Sequence, residues 1–263
     1  MDPALRAAAS GMMAQQLRTE VIANNLANVN TTGFKRSRAQ FEDLLYQTVQ
    51  GSAVIGSPEN GTQPAIQIGR GTRLASVQRM HAQGSLETTN RPLDMAIEGE
   101  GFFQIQTGGG DTAYTRDGSF QISDQGVLVT SEGYTLQPTI RVPSDATGVT
   151  ISRTGIVTVT RGANMAEPQE IGRLELARFA NPSGLQALGE NLYQATPASG
   201  EPAVGFPQDE GMGRVVQGSL EGSNVEIVQE MVDMITGMRA YEINSKAIKN
   251  SESMLEIANN LVR

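Results

Sequence analysis

The sequence predicts an α+β protein with long N- and C-terminal helices paired as a coiled coil and a central, mostly antiparallel β domain. Three observations carry this expectation. Apolar residues recur at helical spacing from about residue 2 to 29, and they recur every seven residues from about 223 to 262. Between Gly101 and Thr160, turn signals arrive every seven to ten residues. The expected organisation is a discontinuous terminal-helix domain (1–33 and 221–263), a connecting extended segment (34–72) and a β-rich domain (73–220).

The first helix has a start signal in Asp2-Pro3, a capping carboxylate followed by proline at the first helical position. Leu5, Ala8, Met12, Gln15, Thr19, Ile22, Leu26 and Val29 step by three and four, which draws one narrow stripe. Gly33 can take the positive φ that ends a helix. The last helix opens on Ser223-Asn224-Val225-Glu226, which has capping-box spacing. Ile227, Met234, Tyr241, Ile248, Leu255 and Val262 then follow at intervals of seven, the repeat of a coiled-coil seam. Met231 and Met238 widen this stripe, and Asn244, Ser251 and Ala258 are expected on other faces. Such a helix is roughly 60 Å long at 1.5 Å per residue, long for a globular domain. The pentapeptide IANNL occurs in both helices, at Ile22–Leu26 and Ile257–Leu261. The two narrow stripes are expected to pair with each other. Asn24, Asn25, Asn28 and Asn30 cluster at one end of the first helix, where amides either fix register between helices or simply cap a fraying end.

Between the helices, FFQIQT, AYT, SFQIS, VLVT, YTLQ, VTIS and IVTVT read as short strands separated by glycine-bearing turns. RLELARF at 173–179 is a further strand candidate, and 181–213 reads as loop-rich. Gln-Gly-Ser-Leu-Glu occurs at 83–87 and again at 217–221, one copy before the β region and one after it. The repeat marks the chain's two crossings of a single junction.

Net charge is −8 and the isoelectric point about 4.8, so no cationic footprint for nucleic acid exists at the level of the whole chain. The basic cluster Lys35-Arg36-Ser37-Arg38 reads as a solvated or interfacial patch. No apolar run approaches ~18 residues, and the N-terminus lacks the basic and apolar regions of a secretory leader. The chain has no cysteine and a single histidine, His81. No nucleophile elbow, zinc helix motif or phosphate loop is present. Asp94, Glu98, Glu100, Asp111 and Asp117 lie near turns, where carboxylates serve local hydrogen bonding. Neither an enzyme nor a cofactor or metal is expected. Stripes that seek partner helices point to an assembly protein. The rival class is a monomeric periplasmic enzyme or carbohydrate-binding module.

Residues 11–47, GMMAQQLRTEVIANNLANVNTTGFKRSRAQFEDLLYQ, resemble the N-terminal signature of the axial proteins of the bacterial flagellum, the family of rod and hook subunits. Residues 217–261 resemble the C-terminal signature, and QGSLETTNRPLDMAIEGEGFFQI with YTRDGSFQISDQGVLVTSEGYTLQ resembles the central region. Within the family the pattern is most similar to distal rod members, through FEDLLYQ, the stretch 48–67 and GENLYQ at 189–194. Proximal rod and hook subunits are the alternatives. The resemblance implies a helical homopolymer that crosses the periplasm in the basal body and carries motor torque to the hook. It further implies export through the flagellar type III apparatus without a cleaved signal, and contact with proximal rod subunits, hook or hook–rod junction subunits, and the periplasmic and outer-membrane rings. The expected assembly interface is Leu5, Met12, Ile22, Asn24, Asn25, Leu26 and Asn28 on the first helix with Ile227, Met234, Tyr241, Ile248 and Leu255 on the last. Residues 48–67 and their surroundings, through Tyr46, Val54, Ile55, Pro58 and Ile66, are expected to stiffen the rod.

Overall fold

A computed structural model describes residues 3–50, 53–54, 62–63, 65–161 and 168–261. The chain divides into two compact units, one formed by 1–27, 37–78 and 226–263, the other by 28–36 and 79–225.

The first unit holds helix α1 (Pro3–Ala27), strands β1 (Ser37–Asp43), β2 (Gln47–Gln50), β3 (Ala53–Val54), β4 (Thr62–Gln63), β5 (Ile66–Ile68) and β6 (Thr72–Arg79), and helix α2 (Ile227–Leu261). Proline at the start and a Gly-free run of good helix formers around Gln15–Ala27 account for α1. The two helices pack on each other and β1 packs on α1. Three two-stranded ribbons, β1–β6, β2–β5 and β3–β4, occupy the stretch read from sequence as an extended connector. Asn25 fixes the end of α1 to the start of β1: its amide donates to the Ser37 carbonyl at 2.8 Å and accepts from the Ser37 N–H at 2.8 Å. Before β6, Gly71 has φ +109, and a Cβ there would fall 2.0 Å from the Ser10 hydroxyl, so only glycine fits.

Among the described residues, the second unit holds sixteen strands. They are β7 (Leu86–Thr88), β8 (Met95–Glu98), β9 (Phe102–Gln106), β10 (Thr112–Thr115), β11 (Phe120–Ile122), β12 (Leu128–Thr130), β13 (Thr135–Gln137), β14 (Ala146–Ile151), β15 (Ile156–Arg161), β16 (Gln169–Arg173), β17 (Leu176–Arg178), β18 (Gln186–Gly189), β19 (Leu192–Gln194), β20 (Ala203–Gly205), β21 (Arg214–Gln217) and β22 (Ser219–Glu221). The main sheet runs β11-β12-β13-β9-β10-β19-β18, with β17 bridging β9 and β20. A second sheet runs β14-β15-β16, and two ribbons pair β21 with β8 and β22 with β7. Among the described residues the strand pairings in this unit are antiparallel, in line with the expected β domain. The turn glycines Gly110, Gly126, Gly133 and Gly155 all have positive φ, the conformation a tight reversal demands. The span 181–213 is richer than the expected loop, since β18, β19 and β20 lie within it. RLELARF does not form one strand; it is divided between the end of β16 and β17.

Alternation along β9 builds two cores at once, because neighbouring side chains in a strand face opposite ways. Phe103 and Ile105 enter the large cluster with Met95, Ile97, Phe120 and Leu136, while Phe102 joins Tyr114, Phe179 and Tyr193 in a second. Phe103 meets Phe120 edge to face at 5.2 Å, and Tyr114 meets Phe179 at 4.8 Å. Each fully buried Leu, Ile or Phe contributes roughly 1.5–3 kcal/mol.

Candidate assembly interface

The helix pair is antiparallel. Asn25 donates to the Glu230 carboxylate at 3.2 Å, Arg18 pairs with Asp233 at 3.0 Å, and Gly11 faces Asn244, so numbers rise on one helix as they fall on the other. Gly237 faces Gln15 and Thr19. The contact line on α2 therefore runs through Glu230, Gly237, Asn244 and Ser251, which are also seven apart. Glu230, Gly237 and Ser251 are buried and Asn244 is half-buried. This corrects the expectation that the apolar heptad is the pairing seam and that Asn244 and Ser251 lie elsewhere. The physical reason is room. Glycine at 11 and 237 lets the backbones approach, and short polar side chains fill the narrow gap, whereas Ile or Tyr at those positions would hold the helices apart.

Nor do the IANNL copies meet. Following the register of Gly11 with Asn244, Pro3 falls opposite residue 252, so 253–261 has no described α1 residue across from it. Ile22 and Asn25 of the first copy are buried; Ile257, Asn259 and Asn260 of the second are exposed.

The sequence-derived interface residues divide accordingly. Leu5, Met12, Leu26 and Asn28 are half-buried, and Asn24 is exposed. Asn28 accepts from the Thr31 hydroxyl at 3.2 Å and from its N–H through the main chain, so it organises the turn after α1. On α2, Met234 and Ile248 are half-buried, while Ile227, Tyr241 and Leu255 are exposed at 47%, 43% and 51%. Val228, Met231, Val232, Ile235, Met238, Ile243, Met254 and Ile257 are exposed as well. These residues point in nearly every direction around the helix. Charged residues such as Arg239, Glu242, Lys246 and Lys249 are interspersed among them, and α1 covers only one strip of the helix. Of the expected stiffening residues, Tyr46 and Ile66 are exposed, Val54 lies on β3, and Ile55 and Pro58 fall outside the described residues.

The second unit carries a cluster that apolar patterning did not show. Glu221, fully buried on β22, receives the Lys35 ammonium on one oxygen and the Arg116 guanidinium on the other, the latter at 3.0 Å. The Gly84 N–H donates to the same carboxylate at 2.9 Å, Lys35 also donates to the Ala82 carbonyl, and Arg116 to the carbonyls of Ile97 and Gly99. Burial pushes the Lys35 ammonium below its ordinary range, and Glu221 opposes that push. Of the basic patch expected at 35–38 to be solvated or interfacial, Arg38 is exposed, but Lys35 is among the most buried of the described residues.

The two copies of Gln-Gly-Ser-Leu-Glu lie side by side. Strands β7 and β22, each containing part of a copy, pair antiparallel with Leu220 opposite Glu87 and Glu221 opposite Leu86. Both glutamines bridge backbone groups: Gln83 links Ile97 and Gly99, and Gln217 links Pro92, Val149 and Ile151. Gly84 has to be glycine, since a Cβ would fall 2.0 Å from the Gly222 carbonyl oxygen. Beside this junction, Gly33 (φ +67) donates to the Glu221 carbonyl at 2.7 Å and packs against the Arg116–Asp117 backbone. The repeat was the signal that could have found the cluster, because its second glutamate is Glu221.

His81 stacks edge to face on Phe102 and Tyr193, and burial, reinforced by Lys35, Arg79 and Arg116, lowers its pKa to about 4. Burial raises Asp117, which accepts from the Thr32 hydroxyl and the Ser119 N–H. Among the described residues no group of three or more His, Asp or Glu side chains could hold a metal, and no helix is long and apolar enough to cross a membrane.

Three family models match in chain order: flagella basal body rod protein over 5–35, flagellar hook protein FlgE/F/G D1 domain over 96–159, and flagellar basal body rod FlgEFG protein C-terminal over 216–261. The flagellar basal-body rod protein FlgG of Borreliella burgdorferi is 52% identical over 266 residues, covering all of both chains. The chain belongs to the flagellar basal-body rod protein family. Two relatives from one organism, Caulobacter vibrioides, sharpen this: FlgG is 46% identical over 98% of both chains, and FlgF 35% identical over 97% of this chain and 95% of its own. The FlgG pattern is the better fit, in agreement with the distal rod assignment. The chain is a structural subunit of the flagellar distal rod and not an enzyme, it resides in the flagellar basal body, and its family assembles with other rod and hook components.

Proposed function

We propose that the chain polymerises into a helical tube that crosses the periplasm and transmits motor torque to the hook, with α1 and α2 associating as a coiled-coil-like pair in its core. The observation that carries this reading is the apolar surface around α2, eleven large side chains that α1 leaves exposed. Burial of such surface at roughly 25 cal/mol per Å2 offsets the entropy of ordering each added subunit. The functional division is 1–33 with 221–263 in the polymer core, 34–72 as connector and 73–220 as the β-rich layer. Leu5, Met12, Ile22, Asn24, Asn25, Leu26, Asn28, Ile227, Met234, Tyr241, Ile248 and Leu255 form the assembly interface. Residues 48–67, with Ile66 exposed among them and Tyr46 exposed beside them, fill gaps between neighbouring copies and stiffen the tube. Subunits reach the rod through the flagellar type III export apparatus without a cleaved signal, and the finished rod meets proximal rod subunits, hook-side subunits and the periplasmic and outer-membrane rings.

Immunogold labelling of isolated basal bodies, with an antibody to 195–210, tests this. Gold on the shaft just below the hook is expected. Gold on the hook or the proximal shaft reassigns the subunit, and gold nowhere, with the epitope accessible in the free chain, removes the polymer reading.

A further inference from the structure

The five apolar seam positions described on α2 are not equivalent. Ile227, Tyr241 and Leu255 are exposed, whereas Met234 and Ile248 between them are half-buried, so the exposed set repeats every fourteen residues. Tyr241, Met238 and Glu242, with Gln15, Gln16, Thr19 and Glu20 of α1, line a groove of about 410 Å3 that the described residues leave unfilled. At the far end of α2, residues 253–261 run beyond the described α1 and present Met254, Leu255 and Ile257 at 63%, 51% and 60% exposure.

We infer that neighbouring copies pack α2 against α2 in parallel, staggered by two heptads, so that Leu255 of one copy enters the groove at Tyr241 of the next. This rests on the polymer reading above. The occupant is a second copy because a head-to-tail contact between identical chains repeats without closing, which is how a filament grows. Copies so related run their helices in like directions. A shift that keeps apolar positions on apolar positions has to be a multiple of seven residues. One heptad brings Leu255 to Ile248, which is already half-buried. Two heptads bring Leu255 to Tyr241 and Tyr241 to Ile227, exposed residue on exposed residue at both places. The axial offset is about 21 Å at 1.5 Å per residue.

The absence of cysteine from the chain makes the test clean. Rods are isolated from cells whose sole copy carries Y241C and L255C, oxidised, and run without reductant. Within one chain the two sites are about 21 Å apart on one helix, too far for a disulfide. A ladder of covalent multimers is expected from this pair and from M238C with E252C, which has the same fourteen-residue offset, and none from I248C with L255C. A ladder from the one-heptad pair, or none from rods that have formed, overturns the stagger and leaves the polymer intact. Failure of the unmodified chain to form rods overturns the reading beneath it. Electron cryomicroscopy of the unmodified rod decides without substitutions: adjacent α2 helices offset by about 21 Å support the proposal, and any other offset removes it.

Discussion

The β unit and the helix unit treat apolar side chains in opposite ways. In the β unit, Phe103, Phe120, Ile97, Leu136, Leu176 and Val157 are almost wholly removed from water. In the helix unit the buried contacts between α1 and α2 involve Asn25, Glu230, Gly237 and Ser251, while most large apolar residues of α2 stay exposed, with Met234 and Ile248 half-buried. The first is a fold complete in itself. The second leaves much apolar surface in water, which the proposed polymer would enclose.

The largest expected effect breaks that comparison on the helix side. Leu255→Glu combined with Tyr241→Glu places carboxylates on surface that is already wet in the free chain. Thermal unfolding of the isolated protein should change by no more than about 0.5 kcal/mol, while rods and motility are lost. A large loss of stability in the free chain would show that these residues serve the monomer. On the β side the expected effect is the reverse. Glu221→Ala leaves Lys35 and Arg116 buried without their common partner, and removing one member of a buried ion cluster costs about 3–5 kcal/mol. Denaturant unfolding followed through the β signal measures it, and a cost below ~1 kcal/mol would mean water reaches the cluster.

A smaller effect comes from His81. Its pKa lies near 4 in the folded chain against 6.5 for the free side chain, so the folded state binds fewer protons through this range. Its contribution is full above pH 6.5 and is lost as pH falls toward 4, with no further loss below that. At ~1.4 kcal/mol per pH unit the drop corresponds to roughly 3 kcal/mol at most. Asp117, raised by burial, favours the folded state as it takes up its proton and so partly opposes the loss at the acid end. His81→Phe keeps an aromatic ring against Phe102 and Tyr193 and removes the titration. Its stability between pH 4 and 7 should be flatter than that of the parent, and an unchanged slope would assign the pH dependence elsewhere.

Much of the fold was legible because local rules and the tertiary answer agree. Pro3 opens α1, and Gly110, Gly126, Gly133 and Gly155 turn where the sequence says they turn. The strands β18 to β20 were not legible, because Gly and Pro around them read as loop and because β19 and β20 pair with the distant β10 and β17. The interface was legible as a periodicity and misread in its use. Two heptads coexist on α2, one apolar and one of small and polar residues, and apolar patterning detects only the first. The ion cluster was only partly legible: the repeat points to Glu221, but Lys35 and Arg116 are far from it in sequence, and nothing local distinguishes a buried lysine from a solvated one.

The smallest effect probes the polar heptad itself. Gly237 lies inside a helix, where glycine costs about 0.5–1 kcal/mol relative to alanine. A Cβ at 237 would sit 3.5 Å from the Thr19 hydroxyl and 3.6 Å from Gln15 Oε1, ordinary van der Waals contact. Gly237→Ala should therefore strengthen the helix pair by about 0.5–1 kcal/mol, read as slower amide exchange along α2. At Gly11 the added methyl would meet Asn244 Nδ2 at 2.9 Å, so the amide has to shift and part of the helical gain is lost. The two substitutions differ only in the partner facing them, so the larger gain belongs at 237. If both stabilise equally, the helices stand further apart than the glycines require, and the contact line through Glu230, Gly237 and Asn244 is loose enough to exchange for an apolar one when a second copy docks.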